Sequence, residues 1–204
     1  MLDRIFWLGH SSIKIIGEAV LYIDPWKIEG GEKADIILIS HSHHDHLSPD
    51  DVKKIQAEKT VIVTTEDCAQ SLSGDVRIVK PGDKLVIHDI TVEAVPSYNL
   101  EKDFHPESEK WIGFVVTMGG KRIYYCGDTD FIAEMRSIRA DIVIAPVGGT
   151  YTMTAEEAAR AVNVIKPEAA VPIHFGDIVG SIKDAESFRD LCECSVEIKP
   201  VVSA

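Results

Sequence analysis

Four consecutive apolar residues, Ile36-Ile37-Leu38-Ile39, run directly into Ser40-His41-Ser42-His43-His44-Asp45-His46. An unbroken apolar run of this length reads as a buried strand in a layered α/β protein rather than as a strand with one face in water. The polar run then opens a loop at the strand's end, a common position for catalytic ligands. It holds four of the chain's eight histidines and a carboxylate. Imidazole and carboxylate are the donors that borderline divalent cations such as zinc select. Alternate side chains of an extended segment share a face, so His41 and His43 can converge on one ion. Asp45 and His46 follow in the turn, within reach of a second. His44 reads as a solvated bystander.

The rest of the chain supplies strands and helices for such a layered fold. Strands are expected over residues 4–8, 12–16, 20–24, 61–64, 76–79, 84–87 and 91–95. Residues 112–118 and 122–126 form a hairpin across Gly119-Gly120. Apolar strands at 142–147 and 169–173 and an edge strand at 196–198 complete the set. Ser48 caps a helix with Pro49 at its first position, and residues 66–72 form a short one. Residues 130–137 and 184–192 read as helices. Thr154-Ala155-Glu156-Glu157 fits a capping box that opens a helix ending before Pro167. Two sheets packed face to face with helices outside follow from this order. The polar stretch 97–110 is longer than an ordinary connection, and loops of that length are often functional.

At 204 residues, 45% hydrophobic and 26% charged, the chain suits one domain over residues 1–204. It has no apolar run of about 18 residues, so no membrane span is expected. Met1 to Trp7 reads as a first strand rather than a signal peptide, and a cytoplasmic location is expected. Cys68, Cys126, Cys192 and Cys194 are then reduced thiols, and the Cys-x-Cys spacing is not that of a zinc ribbon. A formal charge of −12 weighs against a nucleic-acid partner. A small anionic substrate is expected all the same, because bound cations reverse the local field. Oligomeric state stays open, a homo-oligomer included.

Further ligands are sought where polar residues follow strands. Asp128, in Cys126-Gly127-Asp128-Thr129, is placed to bridge two ions; His174 follows the strand at 169–173; His105 lies in the long loop. Asp24 is either a partner of a ligand histidine or a turn-forming residue before Pro25. Gly148-Gly149-Thr150-Tyr151 offers backbone N–H groups and the Tyr151 hydroxyl to a substrate, or is a plain glycine turn. Thr150, Tyr151 and Tyr98 are the candidate substrate contacts, with Lys102 and Lys110 nearby. His10 and His88 read as ordinary polar residues, with His10-Ser11-Ser12 lining the site as the alternative reading.

His41-x-His43-x-Asp45-His46 after an apolar strand resembles the signature of the metallo-β-lactamase superfamily. Ile23-Asp24-Pro25, Gly127-Asp128-Thr129 and Val171-Pro172-Ile173-His174-Phe175 extend the resemblance over nearly the whole chain. The chain is most similar to the small, single-domain metal-dependent hydrolases of that superfamily. These are similar to the ascorbate-6-phosphate lactonases and to the phospholipase D type acting on N-acyl phosphatidylethanolamine. The resemblance implies an α/β (α+β) fold, an αββα four-layer sandwich of two mixed sheets flanked by helices, with the site at one sheet edge. It implies that His41 and His43 bind a first metal, Asp45, His46 and His174 a second, and Asp128 both. The third ligand of the first metal is expected to be His105, with Asn99 or water as the alternatives.

Two divalent ions, zinc foremost and manganese, nickel or iron as alternatives, would then make this a dinuclear hydrolase. Hydroxide held between them, about 3.5–4 Å apart, would attack an ester-type bond: phosphodiester, lactone or thioester. Asp45 would orient it and carry its proton. An iron-dependent redox enzyme of the same fold and a non-catalytic metal-binding protein are the competing readings.

Overall fold

The computed structural model describes residues 1–204. Along the chain lie β1 (Ile5–Gly9), β2 (Ser12–Ile16), β3 (Val20–Ile23), β4 (Ile36–Leu38), α1 (Pro49–Ile55), β5 (Val61–Thr64), α2 (Glu66–Ala69) and β6 (Asp75–Ile78). There follow β7 (Lys84–Ile87), β8 (Ile90–Pro96), β9 (Ile112–Met118), β10 (Lys121–Tyr125), β11 (Ile142–Pro146), α3 (Ala155–Ile165), β12 (Ala169–Ile173), α4 (Ile182–Leu191) and β13 (Ser195–Val196). β1 to β6 form a six-stranded sheet in chain order, and β7 to β13 form a seven-stranded sheet, also in order. Both are mixed: β3 to β6 run parallel, as do β10 to β13, while the remaining neighbours are antiparallel.

Period-two alternation sorts the apolar side chains between layers. In β4 and its flank, Ile36 and Leu38 join the large core between the sheets, and Ile37 and Ile39 join a smaller one. That smaller core also holds Val52 and Ile55 of α1 and Cys68 of α2. The run has no polar position because both its faces are covered. On the far side, α3 packs Ala158, Val162 and Ile165 against the seven-stranded sheet, beside Phe188 of α4. The expected αββα arrangement is the one observed.

Local chemistry explains most boundaries. Ser48 caps α1, with its hydroxyl accepting from the Asp51 N–H. Thr154 and Glu157 exchange the two hydrogen bonds of a capping box at α3. β3 stops one residue short of expectation because Asp24 turns to φ +45°. α4 starts at Ile182, not at Asp184, because the Asp184 carboxylate reaches back to the Ser181 N–H and hydroxyl. The helix expected over 130–137 is only a 3-10 turn at Ala133–Ser137. Asp130 is engaged elsewhere. Its carboxylate accepts from Leu100 N–H and Asn99 Nδ2 and pairs with Lys102, tying down the long loop.

This topology places the site. β1, β3, β4, β8, β10, β11 and β12 are followed by the loops bearing His10, Asp24, His41–His46, Asn99–His105, Asp128, Gly148–Tyr151 and His174 respectively. Within each sheet the pairings make those strands run the same way. Residues far apart in sequence therefore meet at one end of the sandwich.

Candidate metal centre

At that end the side chains gather into two donor groups. Ligand atoms of His41, His43 and His105 lie within 4.8 Å of one another, as do those of His10, Asp45, His46 and His174. Asp128 stands between them. Its Oδ1 is 3.3 Å from His46 Nε2, and its Oδ2 is 3.4 Å from His105 Nε2 and 3.0 Å from His174 Nε2. His41, His46, His105, His174 and Asp128 are all buried. The Nε2 atoms of the four histidines make no hydrogen bond although they are sealed from water. A buried polar atom left unpaired costs about 1–3 kcal/mol, and four at one point need a common partner. Imidazole nitrogens converging with carboxylates are a donor set that fits divalent cations.

The outer nitrogens are occupied, and this aims the inner ones. Asp24 is fully buried and accepts from His46 Nδ1 at 2.7 Å. It also accepts from the Ser40 N–H and hydroxyl and from the Tyr125 hydroxyl. Since the Ser40 proton is used on Asp24, His41 Nδ1, 2.9 Å away, donates to the Ser40 oxygen. One carboxylate thus orients a ring in each group, the partner arrangement that fixes a ligand tautomer. Asn99 does the same for His105: its Oδ1 accepts from His105 Nδ1 at 3.0 Å and from the His105 N–H at 3.1 Å. Asn99 Nδ2 donates to Asp130 and to the Tyr151 carbonyl, which sets its amide orientation. Trp111 closes the first group, its ring centroid 5.0 Å from His41 and 4.7 Å from His43 and its N–H on Asp67.

Burial pushes His41 well below the usual imidazole range, with the neighbouring His46 adding to it. His105 falls to about 4, and His43 and His10 are lowered, in each case mainly by burial. Burial acts the same way on His46, but the Asp128 and Asp24 carboxylates outweigh it and raise that ring well above its ordinary value. For Asp45, burial opposes ionisation, and the His10 hydrogen bond and the His46 charge overcome it. Asp128 likewise stays ionised against burial, through His174 and His46. At neutral pH the centre therefore offers anionic carboxylates at Asp45 and Asp128 and neutral imidazoles at His10, His41, His43 and His105.

Most residues singled out in the sequence meet here, and some do not. His105 brings its Nε2 into the first group, and Asn99 serves behind it. Asp24 partners His46 rather than merely forming a turn. Tyr151 lines the cavity above the cluster, with His44 and Phe104. Thr150 is exposed and outside that lining. Tyr98 faces away: adjacent residues of an extended segment point oppositely, so Asn99 turns inward while the Tyr98 hydroxyl meets Glu134. It lines a separate cavity with Lys110. Lys102 is held by Asp130. Gly149 N–H and Thr150 N–H are taken by Met153 and Gly148 carbonyls, so this segment is a glycine turn. His88 sits exposed in the β7–β8 turn with φ +49°.

His10 belongs to the centre despite the ordinary reading of its sequence context. It is buried, and its Nε2 is 3.0 Å from Asp45 Oδ2. Its carbonyl accepts from the His174 N–H and from Trp7 Nε1. The available signal was topological: an antiparallel β1–β2 turn falls at the same end as the loop after β4. Three site residues, His10, Asp24 and His174, hold positive φ of 46°, 45° and 60°. Strain of this kind costs on the order of 1–3 kcal/mol per residue and collects at functional sites. Gly148 is required by space, since a Cβ there would come within 2.3 Å of the His174 carbonyl oxygen.

Comparison with known proteins shows the family and the fold. The sequence model of a family described as beta-lactamase superfamily domain matches residues 4–174. The UPF0173 metal-dependent hydrolase of Archaeoglobus fulgidus is 32% identical, over 91% of this chain and 89% of its own. Its counterpart from Thermoplasma acidophilum is also 32% identical, over 92% and 90%. A crystal structure from Parabacteroides distasonis superposes with a TM-score of 0.86 at 32% identity, covering 96% of this chain and 91% of that one.

Proposed function

The chain belongs to the β-lactamase superfamily, among its metal-dependent hydrolases, and from that premise we propose that its centre binds two divalent cations and hydrolyses an ester-type bond in a small molecule. The observation that carries this reading is the convergence of two donor groups on Asp128 with four inner Nε2 atoms unpaired. His41, His43 and His105 would hold one cation, Asp45, His46 and His174 the other, and Asp128 both. Zinc suits this set of imidazoles and carboxylates, and manganese, nickel or iron are the alternatives. When bound, such cations polarise a carbonyl or phosphoryl oxygen and let a water molecule ionise near neutral pH.

The chain's own residues do the rest. His10 donates to Asp45 Oδ2 and fixes that side chain against the floor of the cavity. Asp45 is ionised at neutral pH, so it accepts a hydrogen bond from a water entering the cavity, orients it and can relay its proton to the leaving group. Tyr151 borders the same space and offers its hydroxyl to the substrate. The burial of Asp128 and the four histidines keeps bulk water from competing at the inner atoms. No helix is long and apolar enough to cross a membrane.

Elemental analysis of purified protein is expected to find two ions per chain, with turnover of at least one phosphodiester, lactone or thioester. Asp128→Ala and His174→Ala should lose metal and activity together. Undiminished metal content and turnover in both variants would overturn the reading.

A further inference from the structure

The cavity above the cluster has a volume of about 270 Å³. Its floor is polar, formed by Asp45, His105 and Asp128, and the His43 and His44 rings stand on one side, but the rest of its wall is apolar. Phe104, Tyr151 and Ile178 stand around the mouth, carried by the loops after β8, β11 and β12. Phe104 is 46% exposed and Ile178 40%, large apolar surfaces kept in water beside the most polar point of the molecule. Single exposed apolar side chains need no explanation, but a group rimming a polar floor marks a binding surface. The corner is preformed: the Phe104 ring meets Tyr151 edge-on at 4.6 Å.

Basic side chains are missing from the side formed by Phe104, Tyr151 and Ile178. No lysine or arginine lines the cavity. Lys102, on the Phe104 loop, pairs with Asp130. Lys27 pairs at 2.8 Å with Asp177, next to Ile178, and lies over the Trp26 ring. The chain as a whole carries −12. On the side of Phe104, Tyr151 and Ile178, away from the His43 and His44 rings, a negative charge on the substrate has a counter-charge only at the floor, where cations would sit. Along that side it would meet apolar surface and a net negative field.

We propose that the substrate carries an uncharged apolar group of aryl or short acyl size against Phe104, Tyr151 and Ile178, beside the scissile bond, with no second anionic group on that arm. This rests on the reading of the centre as an ester hydrolase and narrows it. Sugar phosphates, nucleotides and dicarboxylate esters are disfavoured. Aryl or short-acyl esters, thioesters, lactones and phosphodiesters are favoured.

The test uses the metal-loaded protein and substrate pairs that share a scissile bond and differ in one arm. These are phenylacetyl and succinyl thioesters of one thiol, γ-phenyl- and γ-carboxy-butyrolactone, and 4-nitrophenyl phosphodiesters with a benzyl or a carboxymethyl arm. In whichever chemistry is turned over, the apolar member should be preferred by about tenfold or more in kcat/KM. Phe104→Ala and Ile178→Ala should bring the ratio toward one, with metal content equal to that of the parent. Phe104→Leu should restore part of it. A preference for the charged arm, or a ratio unmoved by both variants, overturns the proposal. Absence of turnover in every pair defeats the hydrolase reading instead. The pocket is then judged by binding, with phenylacetate expected to outcompete succinate and to shift the Phe104 ring signals in NMR spectra. Tighter binding of succinate would overturn it.

Discussion

Asp24 has no access to water, and four donors converge on its carboxylate: the Ser40 N–H and hydroxyl, His46 Nδ1 and the Tyr125 hydroxyl. Through Ser40 it also reaches His41, so each donor group depends on it. Partners of this kind typically change metal affinity by about 10–100-fold when removed. Asp24→Ala should therefore weaken binding in both halves of the centre by about that factor, as read by competition with a chromogenic chelator. It should also lower the Tm of the metal-free protein, because His46, Ser40 and Tyr125 lose their acceptor. Equal affinity in the variant would show that the rings are aimed by packing alone. At this scale, His41, His43, Asp45 and His46 were legible because their spacing is local. His10 was not, because its partner Asp45 lies 35 residues away and only the pairing of β1 with β2 brings the two together. Asn99 could be suspected from its place after β8, but its service behind His105 depends on a loop conformation no pattern encodes.

Strands and helices followed the hydrophobic pattern and cap chemistry closely, because those signals are carried by neighbours in sequence. Three exceptions, at Asp24, Asp130 and Asp184, share a cause: an acidic side chain recruited to a tertiary or capping bond. Asp130 is the example with functional reach. It anchors Leu100, Asn99 and Lys102, and Asn99 in turn holds His105. The segment 99–105 is thus pinned at its start by Asp130 and closed on itself by the Asn99–His105 bonds. Asp130→Ala removes the outer anchor without touching a candidate ligand. Amides of residues 99–105 should exchange faster with solvent, read by hydrogen–deuterium exchange mass spectrometry, while α3 and β12 stay protected. Metal should be lost first from the group containing His105. Unaltered exchange in the loop would mean that the Asn99–His105 closure suffices on its own.

Across the whole molecule, the centre is a seam between the sheets. The first sheet contributes His10, Asp24 and the 41–46 loop, and the second contributes His105, Asp128 and His174. A ligand that binds only the folded state stabilises it by about 2.7 kcal/mol when present at about 100 times its Kd. For a chain of this size that corresponds to a Tm gain of roughly 5–10 °C. Chelation should remove this gain. Its pH dependence has a defined sign. His41, His43 and His105 have imidazole values below the unfolded one, with His105 at about 4. Their neutrality contributes stability above about pH 6.5, and that contribution is lost as pH falls through the lowered values. His46 has the opposite sign. Raised by Asp128 and Asp24, it stabilises the metal-free fold while protonated, a contribution lost as pH rises through its raised value. Binding a cation through Nε2 must displace that proton. Metal loading at neutral pH should therefore release protons, chiefly from His46, measurable by calorimetry in buffers of different ionisation enthalpy. The Tm difference between loaded and chelated protein should shrink steadily from about pH 6.5 toward pH 4. A difference that stays constant over that range would place the bound cation away from these histidines.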